Sequence, residues 1–132
     1  MAKRKSSFPK IAGQVLIFPF EVFDHHKFQK LSGNAKSLMF LLQRYWRNDR
    51  PIQMGVRQVA NFLHVSHPTV RKCFNELITA GFIEEMTGSY LNTFSGIKIP
   101  RAWKINWMAY EYLKPSCDWL DETEKESIKF RN

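Results

Sequence analysis

The sequence predicts an α+β domain: a core of three helices followed by a β-hairpin, with an N-terminal extension and a C-terminal helical tail. Three observations predict it. Apolar residues recur at helical spacing in three consecutive stretches between Ser32 and Ala80. Only the short turn His64-Val65-Ser66 separates the last two stretches. After Gly81 the period changes, and two strand-like runs flank a turn-rich segment. The 132 residues have room for one domain, and a 44% apolar content is enough for its core.

Taken in order, residues 1–13 read as a flexible basic arm carrying Lys3, Arg4, Lys5 and Lys10. Gln14 to Phe18 reads as a strand or extended lead-in, stopped by Pro19. Phe20 to Leu31 reads as one short helix anchored by Phe20, Phe23 and Phe28. Ser32 then caps the strongest helix, whose stripe is Ala35, Leu38, Leu41, Leu42 and Tyr45. Phe40 lies opposite that stripe, and Met39 and Trp46 lie at its edge, so this helix is apolar on more than one side. Asn48-Asp49-Arg50-Pro51 ends it.

Val56 to Leu63 forms a second helix with Val56, Val59, Ala60 and Leu63 on one face. Ser66 caps a third helix, residues 67–80, with Pro68 tolerated in its first turn. Val70, Cys73, Phe74 and Leu77 share its apolar face, and Gly81 is placed to end it in a left-handed conformation. Residues 82–86 and 102–107 are the hairpin strands, with Trp103, Ile105 and Trp107 facing one way. The domain spans residues 14–107, and residues 108–132 form the tail.

Charge narrows the function classes. Residues 1–114 hold 17 basic and 7 acidic side chains, net +10, whereas residues 115–132 hold 3 basic and 5 acidic, net −2. A basic body points to a polyanionic partner. No apolar stretch is long enough for a membrane span, and the charged N-terminus is not followed by the apolar core of a secretory signal. Cys73 and Cys117 are far apart, which fits a reducing interior, and His25-His26 and His64-x-x-His67 lack further ligands at zinc spacing. No glycine-rich phosphate loop or catalytic constellation is visible, so the expectation is a binding protein without metal or cofactor. The acidic tail reads as a solvated face or a DNA mimic.

The order helix, short helix, three-residue turn, helix, hairpin is that of a winged helix-turn-helix. On the third helix the side opposite the apolar face carries Thr69, Lys72, Asn75 and Thr79, flanked by Arg71 and Glu76. With His67 at its start, such a helix is equipped for a major groove: Asn pairs with adenine, Arg and Lys with guanine, and the Thr methyl with thymine. Lys98 and Arg101, near the hairpin tip, are candidate wing contacts to phosphate or the minor groove, and the arm residues Lys3, Arg4 and Lys5 are candidate groove contacts. Lys104 alternates with the apolar strand face and is ordinary surface charge. Phe40, Trp107, Tyr110 and Trp119 are candidates for a homodimer interface, since one such domain covers only a half-site.

VSHPTVRKCFNELITAGFI, residues 65–83, resembles the recognition-helix segment of bacterial and phage winged-helix regulators. LSGNAKSLMFLLQRYW resembles the lead-in of a prophage helix-turn-helix group, and the same layout is similar to winged-helix domains of plasmid-type replication initiators. The resemblance spans residues 15–107 and implies that Ser66, His67, Thr69 and Arg71 face DNA. The expectation is therefore a sequence-specific duplex-DNA-binding protein of the cytoplasm and nucleoid, acting as a dimeric phage or mobile-element transcription regulator. The alternatives are an origin-binding replication initiator, which would meet replication machinery, and a winged helix that binds protein only.

Overall fold

A computed structural model of the chain describes residues 16–87, 90–91, 98–99, 101–108 and 115–120. Within them the architecture is mixed α+β, with five helices, a three-stranded antiparallel sheet and a separate two-stranded pair. Residues 16–19, the described part of the lead-in, join no strand; the Ile17 carbonyl accepts a hydrogen bond from the Gln43 side chain instead.

The single helix expected over Phe20 to Leu31 is two: α1 (Phe20–Phe23) and α2 (His26–Gln29). His25 divides them. Its backbone is extended, and its Nδ1 accepts the Lys27 N–H at 3.1 Å, so it restarts the helix as an N-cap. The ring is buried and stacks on His26 at 4.3 Å, which gives this histidine pair a local structural role.

Ser32 caps α3 (Gly33–Arg44) as expected, its Oγ accepting from the Ala35 N–H at 3.2 Å. Ala35, Leu38, Leu41 and Leu42 are buried, but Tyr45 is the exposed C-cap, standing edge-on to Phe62. Met39 is fully buried rather than marginal. It is one turn from the buried Gln43, whose flank the lead-in covers through Ile17.

No periodicity anticipates β1 (Ile52–Gln53), which pairs with β5 (Ala102–Ile105) through Ile52 opposite Trp103. Two residues are too short to display alternation; only the partner strand makes them a strand. β2 (Ile83–Thr87) pairs on the other side of β5, with a bulge between Glu85 and Thr87, so the sheet order is β1-β5-β2. All six residues from Ala102 to Trp107 are buried, the four of β5 between two neighbouring strands, and the expected one-sided pattern is lost. Lys104, expected on the surface, is buried opposite Glu84. β3 (Tyr90–Leu91) and β4 (Lys98–Ile99) form the second pair.

α4 (Val56–Leu63) and α5 (His67–Ala80) match their expected bounds. Gln58 Oε1 accepts the Gly55 N–H at the start of α4, and His64 closes it at φ 56°, in the left-handed region. The Val65 N–H bonds to the Ala60 carbonyl, and its side chain packs against the core, closing the turn. Val70, Cys73, Phe74 and Leu77 seat α5 on that core. Burial, and then the neighbouring Glu76 carboxylate, pushes the Cys73 thiol above its ordinary pKa, so at neutral pH it is a packed apolar group and not a nucleophile.

Residues 115–120 are irregular chain and turn rather than helix, and they return to the core, burying Trp119 and Leu120. Ser116 N–H bonds to the Asn106 carbonyl, while Asn106 Nδ2 donates to the Gly81 carbonyl at 2.6 Å. The rest of the expected helical tail, residues 109–114 and 121–132, lies outside the described residues.

Candidate nucleic-acid interface

α5 is held along one face only. With Val70, Cys73, Phe74 and Leu77 turned inward, the 3.6-residue period leaves His67, Arg71, Lys72 and Asn75 exposed. These are the expected base-reading residues, and the fold brings them together on one side of one rigid helix. Ser66 and Thr69 are differently engaged. Ser66 Oγ caps the helix through the Thr69 N–H and lies 2.8 Å from Thr69 Oγ1, so the two hydroxyls already share a hydrogen bond.

Glu76, the sole carboxylate of α5, turns toward α3. It accepts from the Ser32 N–H at 3.1 Å and from Ser32 Oγ at 2.7 Å, at the amino end of α3, where the helix dipole favours a negative charge. One side chain thereby fastens α5 to α3.

Arg101 does not belong to this face. Its Nε and Nη2 grip the Glu85 carboxylate at 3.1 and 2.6 Å, and its guanidinium lies 4.5 Å from the centre of the Trp103 ring. Sequence position puts it near the hairpin tip, but the strand pairing draws it back onto the sheet, where it stiffens the β2–β5 edge. Arg101→Ala is therefore expected to lower stability by about 1–2 kcal/mol, the loss of a charge-assisted pair and a cation–π contact, while leaving nucleic-acid affinity within twofold. Denaturation and binding titrations of one variant check both halves.

Lys98 is located by its strand position alone, in β4 opposite Leu91. Lys3, Arg4, Lys5 and Tyr110 lie outside the described residues. Trp107 and Trp119 are not available to a partner copy. They pack edge to face at 6.0 Å, both against Phe82, because the 115–120 segment folds back over the sheet. Phe40 keeps an exposed edge although Phe18 lies 5.2 Å from it.

A cleft of about 480 Å³ runs beside α5, with Lys27, Lys30 and Leu31 on one side and Lys72, Asn75 and Thr79 on the other. Sequence reasoning assigned nothing to Lys27 and Lys30. Their spacing of three puts them on one side of a helical turn, but only the packing of that turn beside α5 gives them a neighbour.

Among the described residues no helix is long and apolar enough to cross a membrane, and no three His, Cys, Asp or Glu side chains gather as a metal site. Comparison with known protein families, with curated proteins and with solved structures returned no match to this chain.

Proposed function

We propose that the chain is a sequence-specific duplex-DNA-binding protein of winged helix-turn-helix type, reading bases with α5. The observation that carries this reading is the division of α5 into a buried apolar face and an exposed face holding His67, Arg71, Lys72 and Asn75. The helix order and the β1-β5-β2 sheet are compatible with a winged helix. The net +10 of residues 1–114 supports a phosphate-bearing partner.

In this proposal α5 lies in the major groove with its N-terminal half toward the bases. Arg71 and Lys72 contact guanine edges or phosphates, Asn75 contacts adenine, and the β3–β4 pair follows the flanking backbone. Ser66 and Thr69 hold the start of the helix in shape. Two copies on an inverted repeat give a regulator its affinity, with Phe40 in the contact between them. The site of action is the bacterial cytoplasm and nucleoid, and the chemistry requires neither metal nor cofactor.

The test is capture of binding sites from random duplexes, followed by titration at several salt concentrations. Affinity should fall by about 0.9 log units per phosphate contact for each log unit of salt. Arg71→Ala should weaken the captured site by about 1–3 kcal/mol, with preference relaxed at particular positions. Weak binding with no salt dependence overturns the proposal in favour of a protein-binding domain. A captured inverted repeat fits a regulator, whereas iterated repeats beside an AT-rich stretch fit a replication initiator.

A further inference from the structure

We infer that the cleft between α2 and α5 seats one strand of the DNA backbone, with Lys27 and Lys30 as sequence-independent phosphate contacts. The inference rests on the duplex-DNA reading above and assigns α2 a part in it.

Lys72, Asn75 and Thr79 occupy positions i, i+3 and i+7 of α5 and form one wall of the cleft. Lys27 and Lys30, in α2 and at its C-cap, form the other. Three lysines thus line a trough together with apolar Leu31 and Ala80. Among the described residues that line the cleft the one carboxylate is Glu76, and both its oxygens accept hydrogen bonds from Ser32. The trough is continuous with the proposed base-reading face, because Lys72 and Asn75 belong to both.

That continuity selects the occupant. A helix inserted in a major groove has a phosphate strand along its flank, and lysine suits phosphate as a compact charge that makes little demand on orientation. Lys30 is exposed and Lys27 half-buried, so both are carried by folded backbone and not by a loose tail. Phosphates held there set how deeply and at what angle α5 enters the groove, without reading sequence.

The experiment compares the salt dependence of the full chain with that of Lys27→Gln/Lys30→Gln on the captured duplex. Two lost phosphate contacts should flatten the slope by about 1.8 and weaken binding about 30-fold at 0.15 M salt, with base preference unchanged. Lys27→Arg/Lys30→Arg should retain the parent slope. Should the double variant fail to fold, Lys30→Gln alone, at an exposed position, should flatten the slope by about 0.9. A slope equal to the parent's overturns the inference while leaving the DNA reading intact. If the glutamines instead abolish retention of poly-glutamate without changing the DNA slope, the cleft takes an acidic protein segment and the inference fails. If the parent chain itself shows no salt-dependent DNA binding, the proposed function falls first and the inference with it.

Discussion

Gly81→Ala should destabilise the fold by about 3–4 kcal/mol, read as the shift of a urea unfolding midpoint at unchanged slope. Two effects add at this residue. Gly81 ends α5 at φ 85°, where an L side chain costs about 1–2 kcal/mol. A Cβ built there would also lie 2.4 Å from the Asp118 carbonyl oxygen and 2.8 Å from the Trp119 nitrogen. Those atoms are backbone, so relief requires moving the 115–120 segment and with it the buried Trp119 and Leu120. His64 offers the internal comparison. It holds a similar left-handed backbone, φ 56°, yet carries a full side chain, so positive φ alone is tolerated in this fold. A loss at Gly81 of only about 1 kcal/mol would mean that the segment yields easily and that its packing over α5 is weak.

Trp103→Ala is expected to cost about 4 kcal/mol and to leave little folded protein at 37 °C. The side chain is fully buried at the centre of β5 and makes three kinds of contact. Its ring stacks on Phe74 of α5 with centroids 4.3 Å apart and planes 9° from parallel. Its Nε1–H donates to the Met54 carbonyl at 2.8 Å, just beyond β1. Its ring also carries the Arg101 guanidinium, which holds Glu85 of β2. One indole therefore joins the proposed reading helix to all three strands. Trp103→Phe keeps a ring against Phe74 but loses the hydrogen bond and leaves the Met54 carbonyl unsatisfied, a loss of about 1–3 kcal/mol. Equal losses for the two variants would show that the hydrogen bond, and not the stack, pins the sheet to α5.

The helices of the core were legible because each carries its signals locally. Ser32 and Ser66 accept the N–H three residues on, the apolar positions of α4 and α5 recur at the helical period, and Gly81 takes the backbone that only glycine adopts cheaply. The exposed residues of α5 were legible for the same reason, since a buried stripe on a helix determines what lies opposite. Local signals failed where one cap went unread and where a contact came from elsewhere in the chain. His25 broke the expected first helix because its side chain found a cap, and β1 exists only through its pairing with β5. The burial of every residue from Ala102 to Trp107 depends on flanking strands and on the returning 115–120 segment, which no period in the sequence records.

Sequence alone, then, determined the start of α3, the boundaries of α4 and α5, the turn between those two, and the basic character of residues 1–114. Each depends on neighbours within a few positions or on composition. Tertiary structure decided which of those charges face outward together. It withdrew Arg101 to Glu85 and Trp103, turned Glu76 toward Ser32, enclosed Trp107 and Trp119, and set Lys27 and Lys30 beside Lys72. The physical reason is range. Capping and periodicity act over one or two turns, whereas an ion pair, a ring stack or a cleft joins residues that only the folded chain brings within a few ångströms.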